Sequence, residues 1–154
     1  MKRWLPLLLI VLILPAQALN LPYDEHADAW TQVKKALAAG KRTHKPTLLV
    51  FGANWCTDCR ALDKSLRNQK NTALIAKHFE VVKIDVGNFD RNLELSQAYG
   101  DPIQDGIPAI VVVNSDGKVR YTTKAGELAN ARKMSDQGIY DFFAKITETR
   151  GVSH

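Results

Sequence analysis

Two cysteines, Cys56 and Cys59, are the only ones in 154 residues. They stand in Trp55-Cys56-Thr57-Asp58-Cys59, directly after an apolar run and at the head of a helical pattern. A helix N-terminus offers unpaired N–H groups and a partial positive charge, which favour a thiolate. The thiolate is the reactive form, so Cys56 is the candidate nucleophile. Cys59 follows close enough to attack a mixed disulfide formed at Cys56. Cys59, Leu62 and Leu66 fall at i, i+3 and i+7, which places Cys59 on a core-facing stripe and leaves Cys56 exposed at the helix entrance. A structural bridge and a zinc half-site are the alternatives. A bridge across two residues removes little chain entropy. Zinc needs two more ligands, and His26, His44, His78 and His154 offer no metal-binding spacing. Redox chemistry is the favoured reading, and neither a metal nor another cofactor is expected.

The elements that must hold this pair follow from periodicity. Thr47 to Phe51 reads as a buried strand, and Gly52 to Trp55 turns the chain into a helix that runs to about Leu66. Before it, Ala27, Trp30, Val33 and Leu37 predict a helix that stops at Gly40, with Trp30 in the core and a basic connector from Lys41 to Pro46. After it come a helix over Asn71 to Phe79 and a strand over Val81 to Val86. Asp90 is the expected cap of a helix over Leu93 to Tyr99, ended by Gly100. Ala109 to Val113 is another buried strand, Asn114 to Gly117 a hairpin turn, and Lys118 to Thr122 the returning edge strand. Ser135 is the expected cap of a last amphipathic helix through Ile139, Phe142, Phe143 and Ile146. Strands alternating with helices and ending in a hairpin predict an α/β fold: a mixed central sheet with helices on both faces.

The first residues read differently. Lys2 and Arg3, an aliphatic run from Leu5 to Leu14, and Pro15-Ala16-Gln17-Ala18 make a secretory signal, cleaved after residue 18. The rest, 19–154, is expected to be one domain in the periplasm or otherwise exported. The formal charge of +5 is spread along the chain. Its densest stretch, Lys34, Lys35, Lys41, Arg42 and Lys45, reads as a solvated helix end, so no nucleic-acid partner is expected.

The segment from Leu49 to Cys59 resembles the active-site strand and helix of the thioredoxin superfamily. Gly106-Ile107-Pro108-Ala109-Ile110 is similar to that family's cis-proline segment. Taken together, residues 46 to 147 look most like small exported bacterial thioredoxin-like proteins related to the reducing domain of DsbD-like transporters. The resemblance implies a three-layer thioredoxin-like sandwich and an exported thiol–disulfide oxidoreductase, acting as a reductant or isomerase-like donor. Cys56 would attack and Cys59 would resolve. Trp55, Thr57, Asp58, Ile107 and Pro108 would meet the substrate, with Pro108 cis. Expected partners are protein thiols and disulfides and a membrane electron donor of DsbD type, for a protein that acts as a monomer. A dithiol oxidase and a non-catalytic binding module of the same fold are the alternatives.

The sequence departs from the family at three places. Val50 stands where a buried carboxylate often lies, and the lysine that accompanies that carboxylate is placed at Val81, also apolar. Asp63, four residues after Cys59, is then the candidate proton acceptor. The dipeptide Thr57-Asp58 is unusual, and Asp58 is expected to press its charge on the Cys56 thiolate. There are extra residues at Gly100 to Asp105 and at Gly126 to Met134, and by the resemblance the second stretch lies beside Pro108 and Cys56 as a docking rim.

Overall fold

The computed structural model describes residues 20–148, so the expected signal peptide lies outside the described residues. Ten elements follow in chain order: α1 (Ala29–Thr43), β1 (Thr47–Gly52), α2 (Thr57–Leu66), α3 (Gln69–His78), β2 (Glu80–Asp85), α4 (Leu93–Ala98), β3 (Ala109–Val113), β4 (Val119–Thr122), a 3-10 turn (Ala131–Lys133) and α5 (Asp136–Glu148). The four strands form one mixed sheet in the order β2-β1-β3-β4. β1 runs parallel to β2 and antiparallel to β3, and β3 pairs antiparallel with β4. This is the thioredoxin-like α/β fold.

Alternation along the strands sorts the core into two clusters, because successive side chains point to opposite faces. Leu49, Phe51, Val82, Ile84, Val111 and Val113 pack with Ala29 and Val33 of α1 and Leu95 of α4. Leu48, Val50, Ile110 and Val112 pack with Leu62, Ile75, Ile139 and Phe143 from α2, α3 and α5. Helices therefore cover both faces, and every β1 residue is buried.

Three sequence expectations are corrected here. α1 begins at Ala29, capped by the Asp28 carboxylate on Thr31 N–H, and runs through Gly40 to a left-handed His44. Gly40 does not end the helix. It is buried, and a Cβ there would lie 2.5 Å from Lys45 O and 3.1 Å from Thr47 Oγ1, so it admits the chain entering β1. Trp30 is exposed, because Ala29 and Val33 carry the buried stripe. Asp90 does not cap α4. Its carboxylate takes the Asn88 N–H at 2.9 Å, and Asn92, in a left-handed conformation, occupies the cap position without a capping bond, its Nδ2 donating instead to Asp85 O at 2.7 Å.

The hairpin turn closes where expected, with Asn114 N–H on Lys118 O at 2.8 Å and Gly117 at positive φ. Ser135 Oγ accepts from Gly138 N–H at 3.0 Å at the head of α5.

Candidate active site

β1 ends in Gly52, and Ala53 to Cys56 turns the chain into α2. The turn is closed by Cys56 N–H on Ala53 O at 3.2 Å. Cys56 is the N-cap of α2, with extended backbone, and its Sγ accepts the Cys59 N–H at 3.1 Å. A sulfur thus occupies the place where a capping oxygen would sit, facing the unpaired donors of the first turn. Once reduced, a thiolate there would gain from those donors and from the helix terminus. In this structure Cys56 and Cys59 form a disulfide, with Cα atoms 5.2 Å apart.

Cys59 is as enclosed as the helical pattern suggests, and Cys56 is more enclosed. Cys59 has no exposure and Cys56 only 5%. The expectation of an exposed Cys56 is corrected to that extent, because the chain before Pro108 leans over it. Cys56 Sγ lies 3.6 Å from the Ile107 carbonyl oxygen. It still lines a cleft of about 340 Å³ with Trp55, Thr57, Asp58, Phe89, Gly106, Ile107, Ala129 and Arg132. Cys59 packs with Tyr23, Ala53 and Phe51, in the cluster opposite to that of Leu62, so the two do not share one core stripe. A larger cleft of about 610 Å³ lies between α1 and β2 but holds neither sulfur. Chemistry, not size, locates the site.

The other expected site residues gather around the sulfurs. The Ile107–Pro108 bond is cis, and both residues are buried. Trp55 is 53% exposed, its Nε1 donating to Gly87 O at 2.8 Å. Its ring meets Phe89, with centroids 6.3 Å apart. Phe89 was not anticipated from the sequence. It lies in an irregular turn at positive φ, outside any periodic pattern. Thr57 is exposed at the cleft mouth.

Asp58 is placed differently from the expectation. It is buried, accepts the Arg132 backbone N–H at 2.9 Å, and pairs with the Arg132 guanidinium. Its charge is therefore matched by a cation and is not free to act on the thiolate alone. The pairing also ties the segment 126–134 to the first turn of α2. Ala129 and Arg132 of that segment form one wall of the cleft.

Asp63 is buried on α2 and pairs with Lys83 of β2 and with Arg67 at 2.8 Å. The lysine companion is thus Lys83, not Val81. In the parallel register Val50 faces Lys83, while Val81 faces Leu48 and is exposed. A carboxylate and a lysine meet after all, with the acid supplied by the helix instead of by β1. Among the described residues no group of three His, Cys, Asp or Glu side chains is arranged to hold a metal.

The arrangement is a redox-active dithiol pair: a capped, cleft-lining sulfur, a buried second sulfur and a wall formed by Gly106 and Ile107. Comparisons agree with that chemistry. A thioredoxin-like family model matches residues 29–115. A crystal structure described as a disulphide isomerase from Xylella fastidiosa Temecula1 is 98% identical, with a TM-score of 0.84, covering 85% of this chain and all of that one. The oxidised C-terminal domain of Neisseria meningitidis DsbD is 23% identical with a TM-score of 0.57, covering 80% of this chain and 97% of that one, a likeness of fold. A probable nucleoredoxin 3 of Oryza sativa subsp. japonica is 33% identical over 109 residues, 53% of this chain, and the match spans only 22% of that longer protein.

Proposed function

The chain belongs to the thioredoxin-like family and is a thiol–disulfide oxidoreductase, and from that premise we propose that it reduces or reshuffles disulfides of exported protein substrates. The observation that carries this reading is the Cys59 N–H directed at Cys56 Sγ, in a cleft walled by Ile107, Phe89 and Arg132. That geometry favours one sulfur as nucleophile and hides the other until it is needed.

In the reducing direction, the Cys56 thiolate attacks one sulfur of a substrate disulfide. A Cys56–substrate bond forms, and the other substrate sulfur leaves as a thiolate. Cys59 then loses its proton and attacks Cys56 Sγ. The Cys56–Cys59 bond forms, and the second substrate sulfur leaves. Two electrons have passed from the dithiol to the substrate. In reshuffling, a substrate thiol performs the second attack and the dithiol is kept. The isomerase description of the 98% identical structure supports this second mode.

The secretory pattern of residues 1–18 supports export. A reductant there must be recharged, since its surroundings are kept oxidising. A membrane electron donor of DsbD type is the partner we assign for that step. Trp55, Thr57, Ile107 and Pro108 line or border the cleft from different segments and would contact the substrate backbone, while Asp58 serves through Arg132. The site is complete within one chain, which suits a monomer.

A dithiol oxidase is the second reading, favoured by one observation. A capped Cys56 stabilises the reduced form, and stabilising that form makes a stronger oxidant. Reduction of insulin by the dithiol form, followed by a measured reduction potential, decides. Insulin reduction with a potential near that of thioredoxin supports the reductant. A potential as high as that of dedicated oxidases supports the second reading. No exchange with any disulfide would leave a binding module.

A further inference from the structure

The first described residues fold back behind the disulfide. Tyr23 N–H donates to Asn54 Oδ1 at 3.0 Å, and Asn54 Nδ2 donates to Tyr23 O at 2.9 Å. Asn54 lies in the turn that carries Cys56, so this double bond fixes Tyr23 against the site. The Tyr23 ring is buried in the same apolar cluster as Cys59. The two side chains come together over Gly52. A Cβ built there would run into the Tyr23 hydroxyl and lie 2.9 Å from Cys59 Sγ. Glycine is required at this point because the phenol and the sulfur occupy its side-chain space.

We propose that Tyr23 is a positioning residue for the resolving thiol, its hydroxyl donating a hydrogen bond to Cys59 sulfur once the disulfide opens. The inference rests on the reading of Cys59 as the thiol that resolves. A thiolate with no exposure to water is disfavoured by burial, and a hydrogen-bond donor beside it offsets that penalty. The charged groups nearby do not supply one by themselves. Asp63 faces the phenol from α2, itself paired with Lys83 and Arg67. Asp85 faces it from the end of β2, paired with Arg91, which also approaches Glu25. Burial first, then these two carboxylates, hold the Tyr23 phenol in its neutral form well above the ordinary phenol range. Tyr23 therefore keeps its proton throughout. In the resolving step the proton of Cys59 passes to Asp63 or to solvent, the Cys59 thiolate attacks Cys56 Sγ, and the substrate sulfur leaves. The Tyr23 O–H bond does not break.

The test needs no partner. In a Cys56→Ser background only Cys59 titrates as a thiol, and its ultraviolet thiolate absorbance gives the midpoint. Tyr23→Phe, which keeps the ring, should raise that midpoint by about one pH unit. In the chain with both cysteines it should slow resolution about tenfold at neutral pH and leave the first attack by Cys56 unchanged. An unmoved midpoint in Tyr23→Phe overturns the proposal. Tyr23→Leu removes the ring as well. A midpoint that moves with leucine and not with phenylalanine would assign the effect to packing and also overturn it. A midpoint that rises with phenylalanine in a protein that exchanges no disulfides would uphold the contact and remove the functional reading instead.

Discussion

Asp58 holds Arg132 by both main chain and side chain, across 74 positions of sequence. Asp58 sits two residues after Cys56, and Arg132 sits on the cleft wall. The contact therefore joins the redox helix to the segment that shapes access to it. Arg132→Ala should leave a buried carboxylate without its partner. The guanidinium is half exposed and the helix terminus offsets part of the charge, so a loss of about 2 kcal/mol is expected in chemical denaturation. The bared charge should also disfavour the Cys56 thiolate and lower the reduction potential by roughly 20 mV. Asp58→Asn should move the potential less, because the native charge is already matched. A larger shift from Asp58→Asn than from Arg132→Ala would mean that the pair does not screen the site.

Cys59→Ser should trap substrates as stable mixed disulfides at Cys56, and Cys56→Ser should trap none. Cys56 lines the cleft and Cys59 has no exposure. Covalent capture by Cys56→Ser, read on non-reducing gels, would reverse the assignment.

Asp63, the expected proton acceptor for Cys59, lies four residues after it on α2 and pairs with Lys83 and Arg67. Asp63→Asn should slow resolution about tenfold and leave the first attack unchanged. With the acid gone, resolution should rise steadily with pH as hydroxide takes the proton. Stopped-flow measurement of both steps across pH checks this. A fast, pH-flat resolution in Asp63→Asn would remove Asp63 from the mechanism.

Asn130→Ala with Lys133→Ala, at exposed positions of the segment 126–134, should spare insulin reduction and slow exchange with the physiological partner. Ala129 and Arg132 of that segment form the cleft wall, yet the sulfurs are held by β1, α2 and the Ile107 segment. Equal loss on both substrates would indicate a folding defect.

The entry to that segment should loosen in acid. Glu127 accepts from Lys124 N–H at 3.1 Å and from Ala125 N–H at 3.1 Å. Burial pushes its carboxyl up, but these backbone donors outweigh it and hold the carboxyl below its usual range. The stabilisation is therefore full above the unfolded value near 4.5 and is lost as pH falls through the depressed folded value. Amide exchange at Lys124 and Ala125 should accelerate over that window, and Glu127→Gln should abolish the pH dependence.

Much of this was legible in the sequence because it is local. The run Ala109 to Val113 is a strand from end to end, and the Cys56–Cys59 spacing announces the dithiol. The misreadings concern approaches between distant segments. Gly40 resembles a helix stop until the passage of Lys45 and Thr47 beside it is known. Lys83 cannot be assigned to Asp63 without the strand register. Tyr23 and Phe89 lie outside periodic patterns, so nothing local marks them as neighbours of the sulfurs. For Asp58, spacing placed the charge beside the thiolate, and only the tertiary structure supplies the arginine that answers it.

The order in which the cleft's walls occur along the chain has a consequence for biogenesis. Cys56 and Cys59 lie in the first half of the chain, whereas Ile107 and Arg132 come 51 and 74 positions after the residues they meet. Closing such long loops is entropically slow, so reactive thiols exist before the surfaces that restrict their choice of partner. The walls that restrict the choice of partner thus come from the last third of the chain, and the cleft is complete only when that third has docked.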